Sequence, residues 1–195
     1  MARAGDEFIR PNGERLTFRK TSRETNGELL EMEMVYNPNS SKPPSHYHPN
    51  QEEHFEILSG TIFTEIGGQT RSFEAGESFT VPMGTHHWMH NTSPEPGKVI
   101  WQVRPALETE TLFETLWGLG IDGKTKDNGV PNLLQIAVIF REYEREFRLS
   151  KPPYRLQKIL FAILAPIGKL LGYRVKYDKY GKPGIFPNSI EPEVS

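Results

Sequence analysis

Residues 46–53 read His46-Tyr47-His48-Pro49-Asn50-Gln51-Glu52-Glu53, and Gly60 closes the apolar run that follows. His46 and His48 are two residues apart, a spacing that puts both imidazoles on one face of an extended strand. Glu52 and Glu53 are adjacent and so face opposite ways. Glu53 shares its face with Phe55 and Ile57, whereas Glu52 shares one with His54 and Glu56. Glu53 is the inward carboxylate on this reading. The chain has no cysteine, so any metal it holds must take nitrogen and oxygen ligands.

Working outward, a second ordered run starts at Gly76 and passes through Pro82 and Gly84 to His87 and Asn91. Alternation again separates neighbours: His87 goes with Met89 and Asn91, His86 with Trp88 and His90. The flanking stretches 14–21, 28–36, 53–58, 61–66, 77–81, 86–91 and 98–104 read as short strands. Turn signals divide them at Pro38-Asn39-Ser40, Ser59-Gly60, Gly67-Gly68, Ala75-Gly76 and residues 94–97. Short strands at this spacing predict an all-β sandwich or barrel.

Together the two runs resemble the paired motifs of the cupin superfamily, in the looser, quercetinase-like form. His46, His48, Glu53 and Gly60 stand in the register of the first motif, and Gly76, Pro82, Gly84, His87 and Asn91 in that of the second. The first motif's leading glycine is missing, because residues 40–45 read Ser-Ser-Lys-Pro-Pro-Ser. The resemblance spans residues 28–105. It implies a double-stranded β-helix (a jelly-roll barrel), often a homodimer, with a divalent metal in the bore. It selects His87 over His86, and gives His46, His48, Glu53 and His87 as the ligand set. Imidazole and carboxylate donors suit Fe, Ni, Mn, Zn or Cu. A set of this kind leaves coordination positions open for substrate, water or dioxygen. His54, His86 and His90 are expected at the surface or behind the ligands.

Phe55, Ile57, Phe63, Met89 and Trp101 are the expected lining of an apolar bore suited to a small organic substrate. The function expected is that of a metal-dependent dioxygenase or other oxidoreductase, with Glu53 able to act as base. A non-catalytic binding module, or a metal-assisted isomerase or lyase, would carry the same ligands.

The composition changes after Pro105. Residues 1–105 are expected to form the barrel domain and 106–195 an extension of about three helices, packed on the barrel or on a dimer partner. Residues 108–119 suit one helix. After Pro131, the recurrence of Leu133, Ile136, Ala137, Phe140, Tyr143 and Phe147 predicts an amphipathic helix of about four turns. A third, apolar nearly all round, is expected from near Pro153 to about Leu171, and such a helix needs a cover. The tail, residues 182–195, is polar and proline-containing, and is expected to be loose or draped.

The balance of 23 basic and 25 acidic residues gives no electrostatic case for nucleic acid. The first 21 residues carry no apolar h-region, so a cytoplasmic protein is expected. Residues 159–168 are too short to span a bilayer, although basic flanks would permit a weak interfacial contact by 153–171.

Overall fold

The computed structural model describes residues 2–181. The expectation for the tail falls on residues 182–195, outside those described. Eleven strands and three helices follow in the order β1 (Glu7–Ile9), β2 (Arg15–Lys20), β3 (Leu30–Tyr36), β4 (His46–Tyr47), β5 (Glu52–Ser59), β6 (Thr61–Ile66), β7 (Gln69–Glu74), β8 (Ser78–Val81), β9 (His87–Asn91), β10 (Gly97–Arg104), α1 (Thr109–Ile121), α2 (Leu133–Glu142), β11 (Arg148–Leu149) and α3 (Tyr154–Leu170). Two antiparallel sheets form, one ordered β1-β2-β3-β10-β5-β8 and the other β11-β4-β9-β6-β7. This is a mainly-β jelly roll with a helical region after it.

Alternation decides which side chains enter. Along β5, Glu53, Phe55 and Ile57 are buried, while Glu52, Glu56 and Leu58 are exposed. The inner faces contribute Phe8, Leu16, Phe18, Met32 and Met34 from one sheet and Ile62, Phe73 and Met89 from the other to one core cluster. Two motif residues serve this frame rather than any ligand. Gly60 has φ +81°, and a Cβ there would stand 2.6 Å from the Cα of Gly97, so the β5–β6 turn admits no side chain. Asn91 is fully buried. Its amide donates to the carbonyls of Asn37 and Glu95, and its Oδ1 accepts from the backbone of Thr61 and Ser93.

The helical half departs from the sequence pattern in one instructive place. α2 stops at Glu142 after ten residues, short of the four turns that the apolar recurrence predicts. Tyr143 caps it, and the chain turns so that Phe147 leaves the helix and approaches the histidines. A short strand follows: β11 pairs with β4, Arg148 opposite Tyr47 and Leu149 opposite His46. The extension is thereby woven into the second sheet.

A second cluster joins α1, α2 and α3 through Leu112, Leu119, Ile136, Ile139, Phe140 and Phe161. α3 turns Gln157, Phe161, Ala165 and Gly168 inward and packs on α2. Among the described residues only that face of α3 is covered. Leu156, Ile159, Ile163, Ile167 and Leu170 lie exposed on a second stripe. Among the described residues no helix is long and apolar enough to cross a membrane.

The α2–α3 contact is close at Gly168, where a Cβ would lie 2.8 Å from Val138 Cγ2 and 3.1 Å from the Leu134 carbonyl oxygen. Overpacking of this kind costs about 1–3 kcal/mol, against up to about 1 kcal/mol returned by helix propensity. Gly168→Ala is expected to lower the unfolding free energy by about 1–2 kcal/mol in a urea titration. An unchanged midpoint would show that the two helices can part without loss.

Candidate metal centre

β4 and β9 bring His46 opposite His87, and His48 follows β4 on the same side. The three rings crowd together, with centroids 4.4 Å apart for His46 and His87, 5.2 Å for His46 and His48 and 5.4 Å for His48 and His87. Each imidazole offers one nitrogen, and the three nitrogens lie within 4.8 Å of one another. Glu53 reaches them from β5 in the facing sheet. Its Oε2 is 3.3 Å from His48 Nε2 and 3.0 Å from His87 Nε2.

The other ring nitrogens are already committed. His46 Nδ1 sits 3.0 Å from the Pro44 carbonyl, His48 Nδ1 2.7 Å from that of Glu146, and His87 Nδ1 3.0 Å from that of Thr85. A carbonyl only accepts, so each Nδ1 carries the proton, and a neutral ring then presents a bare lone pair at Nε2. Backbone carbonyls behind metal-bound histidines do this orienting work. His48 Nε2 and Glu53 Oε2 are moreover buried without a hydrogen-bond partner. Buried polar atoms left so at a point of convergence fit a cation between them. The donor set, imidazole nitrogen and carboxylate oxygen, suits a divalent transition metal.

Electrostatics at the centre are coupled. Burial alone would raise the Glu53 carboxyl, but His48, His87 and His46 outweigh it and hold the group at about 2. Burial, with His87 and His48 beside it, keeps the His46 imidazole well below the usual histidine value, and burial likewise lowers His48. For His87, burial works downward but the Glu53 carboxylate prevails and raises it.

The centre opens on a cavity of about 1010 Å³. His46, Glu53 and His87 line it, with Phe55, Met89 and Trp101 from the barrel and Phe113, Trp117, Phe140 and Phe147 from the helical half. Trp101 donates from its indole nitrogen to Glu53 Oε1 at 2.9 Å, and its ring packs edge-on against Phe113 at 4.7 Å. Phe147 stacks on His46 at 4.6 Å. Two residues expected in the lining stand elsewhere. Ile57 is fully buried in the core opposite Val99. Phe63 alternates with the inward Ile62 and Thr64, and so lies outside against Trp88 and His90. His54 bonds to Thr80, and His90 lies against the Ser40 carbonyl. His86 lines the cavity mouth, with its Nδ1 2.7 Å from the Ser150 hydroxyl.

The aromatic wall from α1, α2 and the 143–147 turn carries no period-2 signal that could have assigned it to the cavity. Arg10, Glu14 and Tyr36 also line it. Their one sequence signal is polarity at positions where strand alternation calls for inward residues.

A metal-free sample should show these couplings in its stability. Glu53 is held below its unfolded value of about 4.3, so its contribution is present above that pH and is lost as pH falls toward 2. The difference in unfolding free energy between wild type and Glu53→Gln is expected to shrink from pH 5 to pH 2.5, as followed by urea denaturation. A difference constant across that range would mean that the carboxylate is not ion-paired.

Comparison with known proteins agrees with this architecture. Residues 32–103 match the family model described as the cupin domain. An oxidoreductase of Arthrobotrys oligospora is 30% identical over 154 residues, covering 71% of this chain and 59% of the relative. A probable oxidoreductase of Aspergillus niger is 31% identical over 155 residues, with coverage of 71% and 59%. Another, of Aspergillus clavatus, is 28% identical over 190 residues, covering 89% of this chain and 58% of its own length. These similarities extend past the cupin domain into the helical half, and the chain spans less than two thirds of each relative. The chain carries a cupin domain over residues 32–103.

Proposed function

We propose that this protein is a metal-dependent oxidoreductase of the cupin-dioxygenase kind, acting on a small organic substrate in the cavity beside His46, His48 and His87. The three imidazoles would hold a divalent transition metal through Nε2, with Glu53 completing the set. The observation that carries this reading is the backbone anchoring of all three Nδ1–H groups, which fixes the tautomer and aims three lone pairs at one point. The oxidoreductase names of the relatives agree in reaction class.

A bound metal would supply Lewis acidity and redox capacity at that point. The chain does the rest. Phe140, Phe147, Phe113 and Trp101 wall the cavity with rings that exclude water and favour a flat, apolar substrate body. Glu53 is buried and lines the cavity, and on leaving the metal its Oε2 would be free to accept a proton from a substrate hydroxyl. Its hydrogen bond from Trp101 holds one oxygen in place while the other faces the histidines.

Elemental analysis of purified protein beside His48→Ala tests the centre. About one ion per chain is expected in wild type and markedly less in the variant, and equal contents would remove the metal centre. Because Glu53 raises the His87 imidazole, metal binding must displace a proton there. Affinity for cobalt(II) is expected to rise from pH 6 to pH 8, with protons released into the buffer. Oxygen uptake with phenolic and diketone substrates, after loading with iron, nickel, copper or manganese, tests the chemistry. Silence across all metals would remove the dioxygenase assignment and leave the metal site standing.

A further inference from the structure

The β1–β2 hairpin ends in a polar group on the inward face. Ile9 pairs with Arg15, and Arg15 in turn with Val35. One residue further along each strand lie Arg10, Glu14 and Tyr36, on the face that carries Phe8, Leu16 and Met34 into the core. All three line the cavity that holds Glu53, His46 and His87.

The guanidinium of Arg10 is pinned there. Its carbon lies 4.0 Å from the centre of the Trp117 ring. A Cβ on Gly129 would stand 2.9–3.3 Å from its two terminal nitrogens and central carbon, and one on Gly120 would stand 2.8 Å from Nε. Glycine at 120 and 129 therefore makes the room that this side chain occupies. Among the described residues only Nη1 is paired, to Glu14 Oε2 at 3.1 Å. Nε is buried with no partner, and among the described residues neither Nη2 nor the Tyr36 hydroxyl makes a hydrogen bond. A buried guanidinium with donors to spare is costly unless something accepts from them.

We infer that this row is the anchor for the substrate: the cavity takes an organic carboxylate, whose oxygens accept from the terminal N–H groups of Arg10 that Glu14 leaves free and from the Tyr36 hydroxyl. A planar fork of donors matches a carboxylate. Glu14 already offsets part of the positive charge, which favours a monoanion over a dianionic phosphate. The neighbouring Phe113, Leu116 and Ile136 suit an apolar body. The inference rests on the proposed reading of the cavity as the substrate site, and it names the substrate's charge and the residues that read it.

Benzoate and benzamide, and hexanoate and hexanamide, are the probes, titrated calorimetrically into metal-free and metal-loaded protein. The acids are expected to bind at least about tenfold tighter than the amides in both states. Arg10→Gln abolishes the preference, Tyr36→Phe weakens acid binding several-fold, and Glu14→Gln strengthens it by relieving the competing charge. That opposition in sign separates ligand recognition from a structural salt bridge, since a merely structural pair would weaken with either partner removed. Tyr36→Phe and Glu14→Gln keep the test intact if Arg10→Gln fails to fold. Equal binding of acid and amide, no binding of either, a preference that survives Arg10→Gln, or one that vanishes when metal is stripped would each overturn the inference. Metal content measured in parallel keeps the two proposals apart, because none of these substitutions touches a histidine of the centre.

Discussion

The hydrogen bond from His48 Nδ1 to the carbonyl of Glu146 crosses 98 positions of sequence and ties the two halves of the chain together at their most sensitive point. Without it, His48 could adopt either tautomer and rotate, and its Nε2 would not be held toward Glu53. Because the acceptor belongs to the turn after α2, the barrel's inner chemistry depends on where a helix ends. Ring stacking of Phe147 on His46 and the β11–β4 pairing enclose the same contact. The site is thus assembled by both halves, even though the cupin motifs occupy only one.

Much of the barrel was legible because a strand with one buried face repeats every two residues. That rule alone separated Glu53 from Glu52 and placed His46 and His48 together. It was silent where the pattern is weak. β7 has one buried residue, Phe73, and β1 and β11 are three and two residues long, so neither period nor length announced them. α2 misled for the opposite reason. Tyr143 and Phe147 continue its apolar spacing yet serve a turn and a ring stack, and spacing cannot distinguish a helical face from a chain that leaves the helix to bury the same side chains. Ile57 lies on the face that alternation gives it, but a face has depth: Ile57 is fully buried in the core, and Phe55 and Trp101 meet the cavity instead.

The polar row of Arg10, Glu14 and Tyr36 is a local conflict of the kind that marks sites in otherwise consistent folds. Its positions call for apolar side chains, and the chain accommodates charge there by giving up side chains at Gly120 and Gly129. A guanidinium held flat between Trp117 and a glycine loses little further freedom on meeting an anion, so the ordering cost is met during folding rather than at binding.

The anchoring of His48 on Glu146 has a thermodynamic consequence. A ligand that binds only when the histidines are in place adds its binding free energy to every segment that must be ordered to place them. Residues 143–150 belong to that set. Occupancy at the barrel's histidines is therefore felt as resistance of the helical half to local opening, and a protease acting near β11 would read out, from outside the barrel, whether the centre within is filled.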